Sequence, residues 1–169
     1  MVKFLVMDVD GTLTDGKVYM GNDGEMMKAF DIKDGYAIKC LLPPQNIIPI
    51  IITARCSKIV ENRCKELNII ECHQNAMNKY EKLSQILSLY TEKDGVEYNF
   101  SHVAYIGDDI LDLQCINPVK KAGGLVGCPS TAVKQIHEIA DFVSEKEGGN
   151  GAVREFVEWI LENKMFFSY

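Results

Sequence analysis

Histidine is scarce in this chain, and no two cysteines are spaced as a metal or redox site would need. The three histidines stand at 73, 102 and 137, and Cys40, Cys56, Cys64, Cys72, Cys115 and Cys128 include no C-x-x-C pair, which argues against structural zinc. Reduced and mostly buried thiols are therefore expected. No apolar run is long enough to span a bilayer, and the N-terminus lacks the basic start, apolar stretch and small-residue cleavage site of a signal peptide. A cytoplasmic protein without a membrane partner is the expectation. With 18 Lys and Arg against 24 Asp and Glu, and no basic stripe, nucleic acid is an unsuitable partner. Internal repeats and low-complexity tracts are missing, as is the G-x-x-x-x-G-K-[ST] loop of a P-loop kinase. What remains is 169 residues, 47% of them hydrophobic, which suits one globular domain over 1–169 acting on small molecules or proteins.

Short apolar runs alternate with segments of helical period. Lys3–Met7, Ile47–Ile52, Ile69–Cys72, Val103–Ile106, Gly123–Val126 and Asp141–Val143 read as strands, several rich in Val and Ile and apolar on both faces. Gly35–Leu42, Ser57–Leu67, Lys79–Leu89, Ile110–Ile116, Thr131–Ile139 and Gly151–Asn163 carry the spaced apolar residues of helices. This order predicts an α/β fold, a doubly wound, Rossmann-like parallel sheet with helices on both faces. One segment breaks the rhythm. Lys17–Phe30 has "GNDG" between "KVYM" and "EMMKAF", the pattern of a protruding β-hairpin.

Ligands of open α/β sheets sit beyond the carboxyl ends of the strands. There the sequence places Asp8 and Asp10, Thr53 and Arg55, and the "GDD" of Gly107–Asp109, with Lys79 opening the helix after the third strand. Strand alternation would turn Asp8 and Asp10 to one side, with Gly11 letting the chain bend away. Joined by Asp108, these carboxylates would repel one another without a cation, and an all-oxygen set suits Mg²⁺. A phosphomonoester completes the logic: Lys79 and the Thr53 hydroxyl hold the dianion, Asp8 attacks phosphorus, and Asp10 shuttles the proton. A Ca²⁺ loop starting at Asp8 would need Gly and Glu where Leu13 and Tyr19 stand.

These residues also carry a resemblance. "DVDGTLTDG", "IIITAR", the Lys of "NKYEKL" and "YIGDDILD" resemble, in order, the four motifs of the haloacid dehalogenase (HAD) superfamily of phosphotransferases. The hairpin followed by "KDGYAI", and the late "ADFV" and "GGNGAVREF", resemble the capless 3-deoxy-D-manno-octulosonate 8-phosphate (KDO 8-phosphate) phosphatase subfamily. The resemblance implies a Mg²⁺-dependent phosphatase of a phosphorylated sugar acid. It makes Asp8 nucleophile and metal ligand, Asp10 acid/base with its backbone carbonyl on the metal, and Asp108 the third ligand. Thr53 and Lys79 would hold phosphate, and Asp109 and Asp112 would be supporting acids. Lys82 is the local rival of Lys79.

Ala54 and Asn75 stand where the family has glycine, Asn78 replaces an aspartate, and Lys33 replaces an arginine; none of these is a reacting group. The short spans between motifs leave no room for a separate cap domain. In the resembling subfamily the hairpins assemble a homotetramer and a neighbouring subunit helps close the site, roles that would fall here to 17–30 and to Gly148–Arg154. Arg55, and with it Arg154, would bind the sugar acid, although a solvated or ion-paired Arg55 and a subunit-contact Arg154 fit the sequence equally. Two alternatives stay open: phosphatase action on an acylneuraminate or KDN 9-phosphate, and an oligomerising phosphatase-like domain with little activity.

Overall fold

Strand β1 (Phe4–Met7) shows why the sheet must be covered on both sides: all four residues are buried, and alternation sends Phe4 and Val6 to one face and Leu5 and Met7 to the other. The computed structural model describes residues 1–166, with side chains through 163. The strands β4 (Ile48–Ile52), β5 (Glu71–His73), β6 (Val103–Ile106), β7 (Leu125–Cys128) and β8 (Phe142–Val143) join β1 in one parallel sheet of order β5-β4-β1-β6-β7-β8. Strands β2 (Tyr19–Gly21) and β3 (Gly24–Met27) form the separate antiparallel hairpin expected from the "GNDG" turn.

Helices α1 (Ile32–Tyr36), with the turn after it, α2 (Lys58–Glu66) and α6 (Ala152–Phe166) cover one face, with Ile38 of that turn and Val60, Cys64, Val153, Phe156 and Ile160 meeting Leu5, Met7 and Ile51. Helices α3 (Lys79–Asp94), α4 (Leu113–Ala122) and α5 (Lys134–His137) cover the other, bringing Leu83, Ile86, Ile116, Val119 and Ile136 against Phe4, Val6 and Tyr105. The strand order runs outward from β1 in both directions. This reversal opens a crevice beside the carboxyl end of β1, the usual ligand position of such sheets.

Element boundaries depart from the sequence pattern where local signals compete. The first helix starts earlier than expected because Asp31 caps it, its side chain accepting from the Lys33 and Asp34 amides; a π-helical turn over Ala37–Leu41 then leads into Pro43. Helix α4 runs through Pro118 and ends at Gly123 in the left-handed conformation, so β7 begins two residues later than its expected start. No described helix is long and apolar enough to cross a membrane.

Candidate active site

The sheet positions Asp8 but not Asp10. The Asp8 amide still donates to the Ile106 carbonyl at 3.1 Å, prolonging the β1–β6 ladder by one residue. Beyond it the chain curls into a loop in which the Val9 carbonyl accepts from the amides of Thr12, Leu13 and Thr14 at 3.2, 2.9 and 3.0 Å. Asp10 lies in that curl, so loop geometry rather than strand alternation directs its side chain. Gly11 makes the curl possible: its φ is +93°, and a Cβ there would lie 2.0 Å from Asp108 Oδ2.

Lys79, at the first turn of α3, is buried and donates from Nζ to Asp8 Oδ1 at 2.8 Å and to Asp112 Oδ1 at 2.7 Å. An ammonium withdrawn from water requires such partners. Lys82 by contrast turns outward and bonds Gln85, so only Lys79 joins the site. Asp108, just past β6, accepts from the Thr12 hydroxyl at 3.0 Å. Carboxylate oxygens of Asp8, Asp108 and Asp112 all lie within 4.8 Å of one another, a spacing that could hold a metal ion.

This side-chain cluster holds two of the expected ligands, Asp8 and Asp108, together with Asp112, which was expected beside them as a supporting acid. Asp112 is a full member, whereas the Asp10 carboxylate is drawn away to Lys28. Yet Asp112 already accepts from four donors: Lys79 Nζ and Tyr105 Oη on Oδ1, and the Asp108 and Asp109 amides on Oδ2. Asp8 and Asp108 therefore retain the capacity to ligate, while Asp112 fixes Lys79 and the "GDD" loop around them. Asp109 stands apart as the cap of the short turn Ile110–Asp112, its side chain accepting from the Ile110 amide.

Electrostatics follow from this crowding. Burial, then the charge of Asp112, pushes the Asp8 carboxyl up to about 6 despite the opposing pull of Lys79. Burial, then Asp8 and Asp112, pushes Asp108 up to about 7. Lys79 moves upward, because its two carboxylate partners outweigh the opposing effect of burial. Such a cluster of acids with one internal cation is short of positive charge, and a hard divalent ion fits the oxygen donors present.

Thr53 ends β4 and is buried; its amide donates to the His73 carbonyl and its own carbonyl accepts from Ala76, while no hydrogen bond to protein engages its hydroxyl among the described residues. Arg55 sends Nη2 to Glu25 Oε1 at 3.1 Å and holds Nη1 3.7 Å from Asp10 Oδ1, leaving that buried nitrogen without a hydrogen-bond partner. Arg154 lies elsewhere in its contacts, paired with Glu158 and stacked over Tyr36, and does not touch the acid cluster.

Sequence reasoning overlooked the hairpin's inward side. Lys28, directly after β3, buries its side chain and pairs with Asp10 Oδ1 and, at 3.0 Å, with Glu25 Oε1, while Glu25 also accepts from Ser57 Oγ. The i,i+3 spacing of Glu25 and Lys28 is ordinary for a solvated pair and carries no signal of an active-site contact. The glycine-rich segment before α6 packs on the loop after β1 of its own subunit: the Gly149 amide donates to the Thr12 carbonyl at 3.1 Å.

No protein-family model matches the chain. It is 42% identical over 164 residues to the 3-deoxy-D-manno-octulosonate 8-phosphate phosphatase KdsC of Salmonella typhi, covering 95% of this chain and 79% of that relative. The crystal structure of the corresponding phosphatase from Yersinia pestis superposes with a TM-score of 0.85 at 36% identity, over 95% of this chain and 80% of that one. The Moraxella catarrhalis phosphatase, solved with magnesium, phosphate and KDO, gives a TM-score of 0.82 at 37% identity, over 95% and 86%. Fold and site thus define a HAD-superfamily hydrolase of phosphate monoesters. The chain belongs to the KDO 8-phosphate phosphatase family.

Proposed function

We propose that this protein releases inorganic phosphate from KDO 8-phosphate through an aspartyl-phosphate intermediate, with Mg²⁺ as its cofactor. The observation that carries this reading is the buried Asp8 carboxylate, held by Lys79 at 2.8 Å and facing Asp108 at the switch point of the sheet. Asp8, Asp108 and the Asp10 backbone carbonyl would hold the ion, which when bound neutralises phosphate charge and leaves the phosphorus open to attack.

An Asp8 carboxylate oxygen forms the new bond to phosphorus as the bond to the sugar oxygen breaks. Asp10 gives that oxygen its proton, so the sugar acid leaves as the alcohol. Asp10 then takes a proton from water, whose oxygen attacks phosphorus, breaks the acyl-phosphate P–O bond and regenerates the Asp8 carboxylate. Lys79 balances the charge of the nucleophile and of the phosphoryl oxygens, helped by the uncommitted Thr53 hydroxyl. Arg55 Nη1, 3.7 Å from Asp10 Oδ1 and without a hydrogen-bond partner, supports an acidic substrate, since it leaves a guanidinium donor for a substrate carboxylate.

A homotetramer is part of the proposal. The hairpin leaves Val18, Met20, Met26 and Met27 exposed, an apolar surface that association with further copies would cover.

Phosphate release from KDO 8-phosphate, KDN 9-phosphate and N-acetylneuraminate 9-phosphate, with Asp8→Asn as the blank, tests the reading. The eight-carbon substrate should lead by roughly a hundredfold, about 2.7 kcal/mol of discrimination. A nine-carbon winner reassigns the sugar and keeps the chemistry. Turnover surviving in Asp8→Asn removes the nucleophile, and no Asp8-dependent turnover of any of the three sinks the sugar-acid reading in favour of another phosphoester or an assembly role.

A further inference from the structure

The hairpin does more than present a surface outward. Its inward edge delivers a lysine to the catalytic loop of its own subunit. The Lys28 side chain is only 1% exposed, and an ammonium so far from water is held by the carboxylates that face it. Those are Glu25, on the hairpin itself, and Asp10, on the loop after β1. Both neighbouring cations, Lys28 and the more distant Arg55 Nη1, engage the same Asp10 oxygen, Oδ1. Oδ2 is left without a hydrogen bond from the protein among the described residues. Glu25 ties the arrangement together, joining Lys28, Arg55 Nη2 and Ser57 Oγ, so that β3, the end of β4 and the start of α2 are pinned in one network.

Asp10 needs this support more than Asp8 does. Asp8 is set by the sheet ladder and by Lys79, whereas Asp10 sits in a curl whose described backbone bonds run from Val9 to residues beyond it. A carboxylate that must point one oxygen at a departing alkoxide loses rate when free to rotate. We propose that Lys28 is a positioning residue: by clamping Oδ1 of Asp10 it aims Oδ2 at the leaving-group oxygen, making the hairpin of each subunit part of its own proton-transfer machinery. This rests on the reading of Asp10 as the acid.

The test uses the full-length enzyme with Mg²⁺ and two substrates that differ in leaving-group acidity and carry no sugar groups, phenyl phosphate and p-nitrophenyl phosphate. Their kcat/KM values report events only through leaving-group departure. The poorer phenolate needs a proton from Asp10, while p-nitrophenolate leaves nearly unaided. Lys28→Met should therefore lower kcat/KM for phenyl phosphate by roughly tenfold more than for p-nitrophenyl phosphate, within the range of general-acid effects, and Lys28→Arg should recover part of the difference. Equal losses on both substrates would overturn the proposal, as would no loss on either beside a loss on KDO 8-phosphate run in parallel, which would make Lys28 a substrate ligand. Failure of both variants to melt cooperatively would assign the lysine to folding and overturn it too. Asp10→Asn, run beside them, separates the two readings. If it shows the leaving-group selectivity and Lys28→Met does not, the positioning role alone falls; if Asp10→Asn shows none, the acid assignment falls with it.

Discussion

Asp8 and Asp108 carry the same physical conflict at the scale of single residues: each, as a proposed metal ligand, must ionise, and each is buried beside another acid. Both carboxyls are raised above their ordinary value of 3.8, to about 6 and about 7, so without metal each favours folding most below that ordinary value. That contribution is lost as pH rises through the raised values, between about 4 and 7. A divalent ion reverses the sign by binding only the ionised pair. Metal-free protein should therefore lose stability across that interval, and Mg²⁺ at about a hundredfold excess over its dissociation constant should raise the melting temperature by roughly 5–10 °C at pH 8. The same addition at pH 5 should do little. Scanning calorimetry with chelator and with Mg²⁺ checks this, and an equal Mg²⁺ effect at both pH values would place the ion elsewhere.

Among elements, the connections between strands and helices decide the site more than the strands do. The Gly148–Gly149 segment leans on the catalytic loop so closely that a Cβ at Gly148 would lie 1.8 Å from the Gly11 carbonyl oxygen, and Gly149 has a φ of +68°. Its amide holds Thr12, whose hydroxyl holds Asp108. Gly148→Ala should thus move the loop, costing roughly 1–3 kcal/mol of stability from overpacking and at least about tenfold in kcat from misplacement of Asp8 and Asp10. Wild-type turnover in the alanine variant, measured with its melting curve, would show that the brace is dispensable. Helix α6 is tied in at the same end by Asp34, buried in α1, whose Oδ1 accepts from the Arg154 amide at 2.7 Å. The Arg154 amide thereby anchors α6 to α1.

At the scale of the whole molecule, the hairpin has two sides with different business. Its inner edge binds Asp10, Arg55 and Ser57 through Lys28 and Glu25, and its outer methionines remain exposed. Light scattering should return four times the 19.0 kDa subunit mass, and Met26→Glu, which adds charge only to the outer side, should lower it. A wild-type mass of one subunit would remove the tetramer.

Order and chemistry were legible in the residues themselves. Apolar runs buried on both faces demand a parallel sheet, "GNDG" demands a turn, and Asp8, Asp108, Lys79 and Thr53 fall at strand ends or helix starts because the βα rhythm puts them there. Choosing Lys79 over Lys82 also needed only the motif, and burial agrees with it. Tertiary structure alone decided the rest. Asp112 was expected among the acids, but its bonds were not: the turn after β6 folds its carboxylate back under the Asp108 and Asp109 amides. Lys28 and Glu25 reached Asp10 and Arg55 because the hairpin folds over the carboxyl ends of β1 and β4, across 18 and 30 residues of chain. Periodicity reports which face of an element is apolar; it is silent on which distant charge a polar side chain will meet, since that depends on how the elements are laid against one another.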